Sequence, residues 1–231
     1  MVAPEPATQA ISAVLFDMDN TLFDFTEAQL SACRAVIGHT GISCGDEDLF
    51  SYFRRPVHGF EHHGNIRDFL SDNCAFTERL FAECCAVYEA AKVAAIRPYP
   101  GMIPLLKSLH EYGIPLGVVT DAPACNAALR MEKAGLLRYF TALVSPDRSG
   151  AAKPDPASFL LALEGIGTWA QETALVGDSI RRDIKPAQGL GMVTIYARYG
   201  DRYRSELNFS CVPDYTAEHP TDLYRLLNRL I

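Results

Sequence analysis

Val14-Leu15-Phe16-Asp17-Met18-Asp19-Asn20-Thr21 is an apolar run that stops on a carboxylate, with a second carboxylate two places on and a hydroxyl two after that. With Ile11 ahead of it, the apolar part predicts a short buried strand over 11–17. In an open α/β sheet the carboxyl ends of parallel strands open onto the ligand crevice. Acidic side chains there face a site while the strand holds them rigid. A local alternative is that Asp17 and Asp19 cap the following helix, helped by Asn20 and Thr21. Three segments farther along favour the first reading.

From Asp24 to about Arg97 the texture changes. Leu30, Cys33, Val36 and Ile37 recur at helical spacing over 26–37, 46–53 reads as a short helix, and 77–95 as a long one rich in Ala, Glu and Leu. Gly38, Gly41 and Gly45 punctuate a turn, and no strand pattern appears. A helical insertion directly after the acidic strand has the look of a lid. Within it Phe53-Arg54-Arg55-Pro56-Val57-His58-Gly59-Phe60-Glu61-His62-His63-Gly64, followed by Arg67, concentrates cations and aromatics. Arg54, Arg55, His58 and Arg67 are candidates for substrate contact, since a guanidinium suits phosphate and carboxylate. The plainer reading is a solvated loop between helices; a metal site from His58, His62 and His63 is a third.

Pro98-Tyr99-Pro100-Gly101 breaks regular structure and marks a boundary. Beyond it strands are predicted at 114–119, 140–144, 172–176 and 192–196. They alternate with helices at 102–112, 124–134, 157–163 and 184–189, and an amphipathic helix at 221–230 closes the chain. Alternation of this kind implies a parallel sheet with helices on both faces. The expected fold is therefore α/β: a Rossmann-like three-layer core formed by residues 10–23 and 98–231, with an all-helical domain, 24–97, inserted.

Composition narrows the function. The chain has 231 residues, 48% of them hydrophobic, with a formal net charge of −7. That balance excludes a cationic footprint for a nucleic-acid backbone, although a local cationic pocket or a metal can still receive a small anion. No apolar run has the length of a membrane span. Residues 1–10 carry Glu5, two prolines and no basic residue, and read as a disordered lead-in rather than a secretory signal. Seven cysteines form no CxxC pair and no zinc spacing. They read as reduced thiols of a cytoplasmic protein. A monomer or homodimer is expected.

If the strands are parallel, Asp17 and Asp19, Thr120, Lys153, and Asp178 with Asp183 converge on one rim. Carboxylates crowded together raise one another's pKa and partly protonate unless a cation joins them. All-oxygen donors favour Mg²⁺ over zinc. Mg²⁺ and a lysine together suit a phosphoryl group, whose transfer is mostly positioning and charge neutralisation. A carboxylate can attack phosphorus to give an aspartyl-phosphate, and a second can protonate the leaving oxygen and then activate water.

Four ordered segments, Phe16-Asp17-Met18-Asp19-Asn20-Thr21-Leu22, Val118-Val119-Thr120-Asp121, Ala152-Lys153-Pro154-Asp155-Pro156 and Val176-Gly177-Asp178-Ser179 with Asp183, resemble the four motifs of the haloacid dehalogenase-like (HAD) phosphatases. The insertion after the first motif matches the position of that family's helical cap domain. The resemblance implies a role for each residue. Asp17 would be nucleophile and metal ligand. Asp19 would be general acid/base and lend its backbone carbonyl to the metal. Thr120 and the Asp121 backbone N–H would hold the phosphate. Lys153 would neutralise the nucleophile and the phosphoryl oxygens. Asp178 would complete the metal site, and Asp183 would bind metal-bound water or orient Lys153. Asp121 is a departure, since many relatives carry Asn or Ser there; by this reading only its backbone is needed.

The implied function is a Mg²⁺-dependent phosphatase acting on a small phosphorylated metabolite of phosphoglycolate, triose-phosphate, sugar-phosphate or nucleotide type. The family's dehalogenases lack the carboxylate two residues after the nucleophile, which Asp19 supplies here. Its phosphonate-cleaving members need an imine-forming cap lysine, and Lys92 is the only lysine of the insertion. A phosphomutase and a non-catalytic phosphate-binding regulatory protein are the alternatives.

Overall fold

The computed structural model describes residues 10–74, 76–203 and 211–231. The lead-in expected over residues 1–10 lies, up to residue 9, outside them. Strand β1 (Ala13–Phe16) is followed by four helices, α1 (Phe25–Thr40), α2 (Asp46–Phe53), α3 (Gly64–Asn73) and α4 (Glu78–Ala95). Strands and helices then alternate: α5 (Met102–Glu111), β2 (Leu116–Val119), α6 (Ala124–Lys133), β3 (Ala142–Val144), the single turn α7 (Pro146–Ser149), α8 (Ala157–Ile166) and β4 (Thr173–Gly177). A π-turn, Ile180–Ile184, leads into α9 (Lys185–Gly189), and β5 (Val193–Ala197), β6 (Tyr215–Ala217) and α10 (Asp222–Leu230) complete the order. The chain divides into two compact units, one of residues 1–24 and 97–231, the other Phe25–Ile96.

The first unit is a six-stranded sheet in the order β3-β2-β1-β4-β5-β6, every pair parallel. Helices cover both faces, giving a Rossmann-like three-layer core. β1, β2 and β4 are buried along their whole length, which is why they read as continuous apolar runs rather than alternating ones. One face sends Ala13, Leu15, Val119, Val144 and Leu175 into a cluster with Phe159, Ala162, Leu163 and Ile166 of α8 and with Ala187 and Met192. The other face buries Val14, Phe16, Val118, Val176 and Ile195. Gly117 in β2 permits the close approach of α8: a Cβ there would sit 2.7 Å from Leu15 Cδ2 and 3.1 Å from Ile166 Cγ2.

The order reverses at β1, whose neighbours are β2 on one side and β4 on the other. That switch point is where ligands bind in open α/β sheets. The acidic ends of β1 and β4 are thus neighbours, with Phe16 in register with Val176.

The second unit is all helical. Leu30, Cys33 and Val36 of α1, Leu49, Phe50 and Phe53 of α2, Ile66, Phe69 and Leu70 of α3, and Cys84 and Tyr88 of α4 form its core. Phe53 stacks on Tyr88 with centroids 4.9 Å apart. Thr77 caps α4 by accepting from the Leu80 N–H at 3.1 Å. All seven cysteines are free. Among the described residues no helix is long and apolar enough to cross a membrane.

Among the elements that differ from the sequence expectation are β6, α3 and α1. β6 was not predicted, because its three residues carry no apolar run; it is a strand because β5 offers an edge to it. α3 was not predicted: its apolar residues are only Ile66, Phe69 and Leu70, set among polar ones, and burial against α2 and α4 makes it a helix. α1 runs through Gly38 to Thr40 instead of stopping at Ile37, and ends at Gly41, whose φ is +70°.

Candidate active site

Asp17 follows directly on β1 and is held by its own backbone, whose N–H donates to Val176 O on β4 at 2.8 Å. Both carboxylate oxygens are engaged. Oδ1 accepts from Lys153 Nζ at 2.5 Å and Oδ2 from Thr21 Oγ1 at 2.9 Å. Thr21 is itself pinned, its carbonyl accepting from the Tyr199 hydroxyl at 2.7 Å. Asp19 sits in the loop after β1, with Oδ2 2.7 Å from Arg130 Nη1 on α6. Asn20 takes a left-handed φ of +63°, which Asn tolerates better than most residues. The chain can thereby turn back so that Asp19 and Phe23 form an isolated bridge.

Lys153, reached by a loop from β3, is buried and uses three acceptors: Asp17 Oδ1, Asp183 Oδ1 at 2.7 Å and Val119 O at 3.2 Å. An ammonium has three protons, so this lysine is fully committed. Burial opposes its charge, yet Asp17 and Asp183 hold its pKa above the ordinary lysine value. Thr120 directly follows β2 and accepts the Ala122 N–H at 3.1 Å. The Asp121 side chain, taken from sequence as incidental, joins two loops. Its Oδ1 accepts the Lys153 backbone N–H at 2.8 Å and its Oδ2 the Arg182 guanidinium at 3.1 Å.

Asp178 follows β4, and Asp183 lies five residues on, in the π-turn. Carboxylate oxygens of Asp17, Asp178 and Asp183 lie within 4.8 Å of one another, all three residues buried. Gly177 makes room for this: a Cβ there would come within 2.5 Å of Asp183 Cβ. Asp183 is satisfied on both oxygens, by Lys153 and by the Ser179 N–H at 3.0 Å. Asp178 is not: its Oδ1 is buried without a hydrogen-bond partner. Burial, and then the charges of Asp17 and Asp183, push the Asp178 carboxyl well above the usual carboxylate range. Burial raises Asp17 too, against the pull of Lys153. A buried acceptor without a donor, among carboxylates that resist ionising together, fits a hard divalent cation. The carboxylates of Asp17 and Asp178 would be the ones to hold it.

The rim therefore gathers Asp17, Thr120, Asp121, Lys153, Asp178 and Asp183 from four strand ends, with Asp19 beside them. Sequence reasoning missed Arg130 and Arg182. Arg130 had a signal, since it falls in the buried stripe Ala127, Met131, Ala134 of an amphipathic helix. Arg182 had only its adjacency to Asp183. Burial opposes its charge, but Asp183, Asp17, Asp178 and Asp121 raise its pKa above the ordinary value.

The four arginine and histidine candidates belong to the helical unit. There Arg55 and His58 both face Asp68 Oδ2, at 2.8 and 3.2 Å. Arg67 pairs with Glu78 at 2.9 Å and lies over the Phe81 ring. Arg54 follows α2 and is exposed. His58 and His62 stack on each other at 5.3 Å, and among the described residues they belong to no cluster with metal-ligand spacing. Lys92 is buried between Glu89, at 2.8 Å, and Glu61, at 3.3 Å. That is the setting of a structural cation rather than of an imine-forming amine.

Comparison with known proteins shows the family. Residues 14–197 match the family described as haloacid dehalogenase-like hydrolase, and the chain belongs to it. It is 32% identical over 230 residues to a glyceraldehyde 3-phosphate phosphatase of Methanopyrus kandleri, covering 95% of this chain and 98% of that one. It is 30% identical over 222 residues to an N-acetylmuramic acid 6-phosphate phosphatase of Pseudomonas aeruginosa, covering 96% of each. The fold is shared with the putative HAD-hydrolase YfnB of Bacillus subtilis, at a TM-score of 0.74 and 22% identity, covering 95% of this chain and 99% of that one.

Proposed function

We propose that this protein is a phosphoric monoester hydrolase that uses Mg²⁺ and an aspartyl-phosphate intermediate to release phosphate from a small phosphorylated metabolite. The observation that carries the reading is the convergence of Asp17, Lys153 and Asp178 at the switch point of the sheet, with Asp178 Oδ1 lacking a donor. The relatives support the substrate class: a triose phosphate and a sugar phosphate are both small phosphomonoesters.

Asp17 is the nucleophile. Thr21 and Lys153 hold one of its oxygens each, which fixes the direction of attack. Thr120 and the Asp121 N–H receive the phosphoryl oxygens, and Lys153 offsets the negative charge gathered there. Asp17, the Asp19 backbone carbonyl and Asp178 hold the metal, with Asp183 keeping Lys153 in line. When bound, Mg²⁺ neutralises the carboxylates and the phosphate and keeps both from repelling attack. Asp19 gives a proton to the leaving oxygen, then takes one from the water that opens the aspartyl-phosphate. The helical unit, inserted just after the acidic strand, takes the part of a cap that excludes water from the first step.

Mg²⁺-dependent release of phosphate from p-nitrophenyl phosphate tests the class, and a panel of phosphorylated metabolites identifies the substrate. Asp17→Asn is expected to lose at least about 10³-fold in kcat, the scale set by removing a covalent nucleophile. Normal turnover by that variant would sink the nucleophile assignment. Absence of turnover by the wild type with Mg²⁺ bound would leave a binding protein.

A further inference from the structure

Among the described residues Arg130 is the largest fully buried side chain, at 2% exposure. It lies on α6, the helix that starts just past the Thr120 loop, and is 111 residues from the carboxylate it meets. Its neighbours along the helix face, Ala127 and Met131, are core residues. A guanidinium stays charged in a protein, and burying one is costly unless a carboxylate compensates it. Asp19 provides that compensation at 2.7 Å, and the Asp19 side chain is 21% exposed. The pair thus runs from the core to the rim, its fixed end inside and its reactive end at the site.

We propose that Arg130 is a positioning residue for the acid/base carboxylate, acting on the reaction through Asp19. The proposal rests on the role given to Asp19 above. A carboxylate in a loop has rotamers to spare, and a proton transfer needs one of them. The buried guanidinium selects the rotamer because its own position is set by the packing of α6 rather than by solvent. A purely structural role would be to pin the loop between β1 and α1, with no bearing on turnover beyond stability.

A double-variant cycle separates these. Arg130→Met keeps the apolar packing and removes the donor. Folding is checked by melting temperature, and kcat and KM are read with Mg²⁺ on p-nitrophenyl phosphate and on an alkyl phosphate. Arg130→Met is expected to lower kcat on the alkyl ester about ten- to a hundredfold, part of what a general acid contributes, with KM little changed. The loss should be smaller on p-nitrophenyl phosphate, whose leaving group departs without a proton. In the Asp19→Asn background, Arg130→Met should add nothing further. A folded Arg130→Met enzyme with unchanged kcat on the alkyl ester overturns the proposal. So do losses that multiply in the double variant, since the arginine would then act by another route. If Arg130→Met does not fold, the same cycle with Arg130→Gln, a shorter neutral side chain that loses the ion pair with Asp19, decides by the same two criteria. Normal turnover by Asp19→Asn alone would instead refute the acid/base assignment, which is a separate result.

Discussion

Asp121 shows how a side chain can be misjudged from its place in a motif. The resemblance required only its backbone N–H. In the fold its carboxylate receives the Lys153 backbone on one oxygen and Arg182 on the other, tying the loops after β2, β3 and β4 together. The Arg182 pair is partly exposed, at 39% and 25%, so its worth is modest, at most about 1 kcal/mol. Asp121→Asn keeps an oxygen for the Lys153 N–H and should change KM for a phosphomonoester by less than about fivefold. Asp121→Ala loses both contacts and should cost clearly more. Equal effects from the two, in steady-state kinetics, would show that the lysine loop does not depend on this carboxylate.

At the scale of elements, the segment between α2 and α3 is the region whose sequence invited the most functional reading. Its charges are largely spent on holding its own shape. Gln29 donates to Phe60 O, Asn65 to Gly59 O and His62 O, and Lys92 to Glu61. Glu89 anchors the far side, accepting from Lys92 at 2.8 Å and facing His63 Nε2 at 2.9 Å. Burial raises the Glu89 carboxyl, but Lys92 and His63 outweigh it and hold the pKa below the ordinary glutamate value. The folded state therefore binds this proton less readily than the unfolded chain does. The stabilisation is full above the unfolded pKa, about 4.3, and is lost as pH falls through the lower folded value. Glu89→Gln should melt below the wild type at neutral pH, and the gap should close in acid; thermal melts at a series of pH values measure it. A gap that is constant with pH would mean that packing, not charge, is what Glu89 supplies.

For the whole molecule, the crowded carboxylates predict how a metal should act on stability. Asp178 has a folded pKa raised by burial. Without a cation its contribution is favourable below the ordinary carboxylate pKa and is lost as pH rises through the folded value. Mg²⁺ at about a hundred times its Kd should raise the melting temperature by roughly 5 °C or more. The rise should be larger at neutral pH than in mild acid, and a chelator should reverse it. Asp178→Asn should melt without a Mg²⁺ response. An undiminished response in that variant would place the cation elsewhere.

What the sequence determined by itself was the order of things: alternating buried strands, a helical stretch inserted after the first of them, and polar groups at the strand ends. These are local properties, since an apolar run or a strand-terminal aspartate is visible without its neighbours. What only the tertiary structure decided was partnership. The three-residue β6 is a strand because β5 presents an edge, and α3 is a helix because α2 and α4 cover it. Arg130 meets Asp19, and Arg182 meets Asp121, because packing brings together residues that nothing in the chain's order connects. Long-range pairing is fixed by how helices and strands stack, and a buried charge reveals its purpose only when its counter-charge is in view.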